Sequence, residues 1–178
     1  MNVRTLLSDA EMLLKQGRFE SALALVLMAI AATSRKRYPR NHPKYKKDQE
    51  AFEAFVRDEM KNSITGLASM TAEVGGKEMP MESILYKILR CTVLHEGKIP
   101  EELVFEEKPD WSIRPAEGRL VLSRNWILGL MRAVVRAKEN EPLFKDVVDR
   151  WKPPWGPGGG GPQILGDLHI RIRQDKKP

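Results

Sequence analysis

Apolar residues recur at helical spacing from the first turn of the chain. Val3, Leu6, Leu7, Ala10, Leu13 and Leu14 share one face of a helix over 2–16, and Gly17 follows as a natural C-terminal stop. A second helix is predicted from Phe19 to Arg37. It is apolar on most faces as far as Ile30, which is the pattern of a largely buried element. Tyr38-Pro39 ends it, because the residue before a proline avoids the α region. A third helix is predicted over about 44–62, with Phe52, Phe55, Val56 and Met60 on one face. Residues 70–80 contain Gly75-Gly76 and Pro80 and read as a loop. A fourth helix covers about 81–96 and stops at Gly97.

Short strand candidates follow at residues 103–105, 111–113 and 119–122, separated by Pro109-Asp110 and Glu117-Gly118. Ser123 is the expected N-cap of a fifth helix running to about Lys138, and a short sixth helix is expected over 142–151. The fold class is therefore mainly α, with a small β element between the fourth and fifth helices. The helical domain spans 1–151. Residues 152–178 form a Pro/Gly-rich linker and basic tail. Within that tail, Leu168 to Arg173 alternate strictly between apolar and polar, as a strand with one buried face does. A lone strand is unstable in water, so this one is expected to add to the small sheet near 103–122.

Composition narrows the class. With 42% hydrophobic and 30% charged residues in 178, the chain has the balance of one ordinary globular domain. The longest apolar run is the 11 residues 22–32, about half what a membrane span requires, so no membrane partner is expected. The opening segment MNVRTLLSDAEMLLKQ lacks an apolar signal core. The single cysteine, Cys91, excludes an internal disulfide and a Cys-built zinc site, and a reducing cytoplasm is the expected location. No cofactor motif is present: the glycine run 158–161 and Gly75-Gly76-Lys77 lack the Lys-Ser or Lys-Thr and the helix that a phosphate loop needs. Cys91 and His95 are only two potential ligands on one helix face, too few for a metal, and no metal is expected.

Charge changes the picture more. The net charge is +6, and its excess is concentrated: Arg35, Lys36, Arg37, Arg40, Lys44, Lys46 and Lys47 fall within residues 35–47 beside His42, with no acid among them. Such a block attracts phosphate backbones through counterion release. A solvated helix end that complements the helix dipole is the alternative.

The fourth helix carries the candidate chemistry. Arg90 and His95 stand in the spacing Arg-x-x-x-x-His near its end. Histidine titrates near neutral pH and suits proton transfer, and arginine presents a fixed fork of donors matched to phosphate oxygens. Together they could take the 2′-hydroxyl proton of RNA and stabilise the crowded phosphate. On an ideal helix the two lie about 140° apart, so a shared site needs side chains bent toward one cleft or a second subunit. His95 falls on the stripe of Ile84, Ile88 and Cys91, where a packed histidine is the commoner outcome. Tyr86 and Lys87, one turn before Arg90, could line the same cleft.

This motif late in a helical domain resembles the HEPN superfamily, the higher eukaryotes and prokaryotes nucleotide-binding domain. LYKILRCTVLHEG at 85–97 looks like its signature helix, AIAATSRKRYP at 29–39 like the end of its long second helix, and RNWILGLMRAVV at 124–135 like its late helix. The resemblance covers about residues 1–150 of the chain. Cys91 stands where ribonuclease members often carry a polar residue, and no acid stands near Ala32.

The resemblance implies a HEPN-like helical bundle, a homodimer with the two motifs meeting at the interface, and Arg90 and His95 as the catalytic pair. It also implies a metal-independent endoribonuclease of the toxin–antitoxin or defence type. RNA is then the substrate, held by the basic block with Tyr86 and Lys87, and an antitoxin or regulatory protein is a further expected partner. The rival expectation is a non-catalytic HEPN-like module that binds a protein, a nucleotide or RNA.

Overall fold

The structure, a computed structural model, describes residues 2–66, 69–74, 77–92, 101, 103–106, 113–116, 119–151 and 168–171. Helix α1 spans Val3–Lys15 and opens on Asn2, whose Oδ1 accepts from the Thr5 amide at 2.9 Å. It closes where the sequence placed the stop. Gly17 takes φ 72°, the Gly17 amide donates to the Leu14 carbonyl at 3.1 Å, and the Arg18 amide donates to that of Leu13 at 2.9 Å. This pair of bonds satisfies carbonyls that the helix end would otherwise leave bare.

Helix α2, Phe19–Arg37, packs against α1, against α3 (Asp48–Glu59) and against α5 (Arg124–Arg136). Its central place explains its all-round apolarity: Leu23, Val26, Leu27, Ala29 and Ile30 are all buried. The predicted third helix begins later than the pattern suggested. Residues 44–47 are not helical, and α3 starts at Asp48, where Glu50 Oε2 accepts from the Lys46 and Lys47 amides at 2.9 and 3.0 Å. The helix then widens into a π turn over Met60–Ile64.

Residues 70–80 are a hairpin, not the loop read from Gly75-Gly76 and Pro80. Strands β1 (Met70–Val74) and β2 (Lys77–Pro80) pair antiparallel, with Val74 opposite Lys77. Met70 and Ala72 are buried while Thr71 and Glu73 are half-exposed, so β1 has the alternation of a one-sided strand.

Helix α4 begins at Met81–Ile84, continues as a π segment over Leu85–Arg90 and stays helical through 91–92. Between α4 and α5 lies the expected β element: β3 (Leu103–Glu106), β5 (Arg119–Ser123) and β4 (Ile113–Ala116), in the order β3-β5-β4. A turn over Lys138–Asn140, the short α6 at Glu141–Phe144 and a turn over Val148–Trp151 follow α5.

The tail strand β6, Leu168–Arg171, is present but does not join the sheet of β3, β4 and β5. It pairs in parallel with β1, so that the first sheet has the order β2-β1-β6. The hairpin supplies the edge that the loop reading had removed from consideration. Arg173 and the linker before β6 lie outside the described residues. Among the described residues the architecture is thus mainly helical, with two small three-stranded sheets. Among the described residues no helix is long and apolar enough to cross a membrane.

Candidate nucleic-acid interface

Helix α4 is fixed to α3 by polar ties at its first turn. The Arg57 guanidinium donates to the buried Glu82 carboxylate at 2.8 Å, and Ser83 Oγ donates to Glu53 Oε1 at 3.0 Å. Leu85 and Leu89 are buried on the core side. The π segment takes an extra residue per turn, so an ideal 100° step does not apply across it. Tyr86 lies edge-on to the core ring of Phe52, with centroids 5.3 Å apart. The Arg90 guanidinium carbon sits 5.0 Å from the Tyr86 ring centroid. Arg90 Nε is buried and, among the described residues, has no hydrogen-bond partner. A buried donor without an acceptor costs about 1–3 kcal/mol. Lys87 is exposed beside them, and Cys91 is a half-buried free thiol.

The basic block divides into structural and open cations. Arg35 Nε donates to Asp48 Oδ1 at 2.6 Å, while its other nitrogens donate to the carbonyls of Tyr38 at 3.1 Å, Tyr45 at 3.3 Å and Lys46 at 2.9 Å. One side chain therefore pins both ends of the α2–α3 connection. Its hydrogen bond holds the Asp48 carboxyl below the ordinary range, and the charges of Arg40 and Arg90 add to the effect. Arg37 turns inward: it donates to Glu59 at 2.8 Å and to Glu139 at 3.0 and 3.1 Å, and lies 4.6 Å from the Phe55 centroid. Burial works against its charge, but the two carboxylates more than offset this and raise its pKa. Lys36 Nζ donates to Asn140 Oδ1 at 2.8 Å. Arg40, Lys44, Lys46 and Lys47 are exposed, and none forms an ion pair among the described residues.

Sequence reasoning missed the aromatic side chains threaded through these cations. Tyr38, His42 and Tyr45 form one ring cluster, with His42 stacked on Tyr45 and Tyr38 edge-on to both. It also missed Asp48, the acid that Arg35 Nε bonds at 2.6 Å. The interleaving of rings and cations over residues 38–47 was its available signal. His95 lies outside the described residues, so of the expected pair only Arg90 has a described position. Among the described residues no three His, Cys, Asp or Glu side chains cluster as metal ligands do.

Two clefts open elsewhere. One of about 450 Å³ lies between α1 and α5 and is lined by Arg4, Leu7, Leu128, Arg132 and Phe144 among others. The other, of about 440 Å³, lies between the start of α2 and β3. Neither includes Tyr86, Arg90 or a residue of the basic block.

The sequence model of one family, Rv1289, matches residues 3–146. The chain belongs to the Rv1289 family. No curated protein and no solved structure matches it. The Rv1289 match runs from α1 into the segment after α6, so it includes Arg90, His95 and the whole basic block. It ends before the turn at Val148–Trp151 and before β6.

Proposed function

We propose that this protein binds RNA across α4 and the α2–α3 connection and cleaves it without a metal, Arg90 holding the phosphate and His95 moving the proton. The observation that carries the reading is the Arg90 guanidinium, which lies 5.0 Å from the Tyr86 ring centroid on α4 and forms no ion pair among the described residues. A phosphate would give that guanidinium a counter-charge and acceptors, and a guanidinium with an aromatic at its back is held at a fixed angle for it. Arg40, Lys44, Lys46 and Lys47 would neutralise the flanking backbone, while Arg35, Lys36 and Arg37 keep the platform rigid.

In the cleavage step His95 takes the 2′-hydroxyl proton. The 2′-oxygen bonds to phosphorus as the bond to the 5′-oxygen breaks. The departing 5′-oxygen takes a proton from solvent and His95 later returns its proton to solvent, so the products are a 2′,3′-cyclic phosphate and a 5′-hydroxyl. Arg90 stabilises the extra negative charge of the transition state. The reading includes a HEPN-like bundle acting as a homodimer, in a toxin or defence role controlled by an antitoxin or regulatory protein.

The test is incubation of the purified protein with mixed RNA in excess chelator, followed by end-group analysis. Cleavage leaving cyclic phosphate ends, abolished by Arg90→Ala and by His95→Ala with unchanged melting, supports the reading. Full activity in either variant, or no cleavage by the unaltered protein, overturns the catalytic assignment.

A further inference from the structure

The cations of the α2–α3 connection do not stand alone. Tyr45 carries the Lys44 ammonium 5.2 Å from its ring centroid and the His42 ring at 5.1 Å, with the two rings only 11° from parallel. Tyr38 closes the cluster edge-on, at 4.8 Å from Tyr45 and 5.4 Å from His42. Each ring retains partial exposure. The cluster is held by backbone and deeper contacts. His42 Nδ1 accepts from the amides of Lys44 and Tyr45 at 3.2 and 3.1 Å, which fixes the imidazole plane. Arg35 holds the carbonyls of Tyr38, Tyr45 and Lys46, and the Tyr38 hydroxyl donates to Asp58. The Tyr45 phenol ring takes no part in these bonds.

A rigid, half-exposed ring with a displaceable cation on its face is a stacking site. When a base takes the place of the Lys44 ammonium on Tyr45, the ammonium is released to the adjoining phosphate. Base stacking on such a ring requires an unpaired base, because a duplex keeps its base faces covered by each other. We infer that the His42–Tyr45 stack is a base-stacking platform that makes the substrate class of this interface single-stranded RNA, with Arg40, Lys44, Lys46 and Lys47 tracking its backbone. The inference rests on the RNA-binding reading above and deepens it.

The experiment measures binding by fluorescence anisotropy across a salt series, using a labelled 2′-O-methyl oligonucleotide that cannot be cleaved, both single-stranded and annealed to its complement. Single strand should bind at least about fivefold tighter than duplex, the value of one stacked base at the lower end of its range. Tyr45→Leu should erase that preference while leaving the salt slope unchanged, and Tyr45→Phe should preserve it. Lys44→Gln with Lys46→Gln and Lys47→Gln should instead lower the slope by about two while keeping the preference for single strands.

Tyr45→Trp gives a direct readout if the leucine variant unfolds: its added emission should be quenched by the single strand and not by the duplex. Equal affinity for both forms, or an unquenched indole at saturation, overturns the stacking platform and leaves RNA binding standing. Absence of binding to either form overturns both.

Discussion

Replacing Arg37 by Met separates the structural cations from the binding cations. Its guanidinium bridges Glu59 of α3 and Glu139 after α5 from the last turn of α2, so one side chain joins three parts of the fold. The three side chains are only 18%, 14% and 21% exposed. Removing one partner of a fully buried pair costs about 3–5 kcal/mol, because the surviving charge is stranded. Residual solvent access here lowers the expected loss to about 2–4 kcal/mol, including the contact with Phe55. For a chain of this size that is a fall of roughly 4–16 °C in Tm. Arg40→Met, on the exposed connection, should stay within about 0.5 kcal/mol.

The acid limb provides an internal control for Arg37→Met. Burial disfavours the Glu139 charge, but the hydrogen bond and charge of Arg37, with a backbone hydrogen bond and the Lys138 charge, together outweigh it and its pKa is lowered. The unfolded state therefore binds the proton more readily, and stability present above the ordinary Glu range is lost as pH falls through the folded value. Arg37→Met should flatten that dependence. Adding Glu59→Gln and Glu139→Gln should recover much of the loss, since no charge then remains stranded. The assay is urea unfolding of each variant across pH, alongside RNA binding. A midpoint unchanged by Arg37→Met, together with an RNA salt slope lowered by about one, would refute the division of the cations.

Two further outcomes concern polar side chains held by tertiary hydrogen bonds. Burial, followed by the hydrogen bond to Asp58, pushes the Tyr38 phenol up to about 12, so a late-titrating tyrosine should appear in the ultraviolet and vanish in Tyr38→Phe. The native state keeps that proton after the unfolded chain has lost it, so stability should fall between about pH 10 and 12, and less steeply in Tyr38→Phe; identical curves would refute this. Asn140 is fully buried and donates to Thr33 Oγ1 at 2.8 Å and to the Val134 carbonyl at 3.0 Å. Asn140→Ala should cost about 1–3 kcal/mol in urea unfolding, and a change under about 0.5 would show that these bonds add little.

The helices were legible because their signals are local. A glycine stop after Gln16, a proline after Tyr38 and an all-apolar stretch over 22–32 each act within a turn of the element they define. The hairpin at 70–80 was lost because the same glycines that mark a loop also mark a turn between strands, and only pairing tells them apart. The alternation of Met70, Thr71, Ala72 and Glu73 was the overlooked sign. That miss carried into the tail: its period-2 pattern correctly called for a partner strand, but the edge it found had been read as coil.

The candidate face shows a different limit. Residues 35–47 present seven cations in a row, and nothing local distinguishes Arg37 from Arg40. The distinction comes from partners 22 and 102 residues away, Glu59 and Glu139, which tertiary packing alone brings to the end of α2. Arg37 lies on the inward face of α2 over Phe55, whereas Arg40 falls after the helix has ended, where no neighbouring element covers it. Charge counting therefore overstates the surface available to a polyanion. The same geometry sharpens what remains: with Arg35 and Arg37 spent on holding the connection in place, its four open cations and its rings are displayed by a fixed scaffold, which on the RNA-binding proposal needs no ordering when RNA arrives. Preorganisation of this kind lowers the entropic cost of binding. It also means that Arg35→Ala should damage recognition indirectly, by releasing the carbonyls of Tyr38, Tyr45 and Lys46 and with them the ring cluster, even though its own guanidinium is engaged by Asp48.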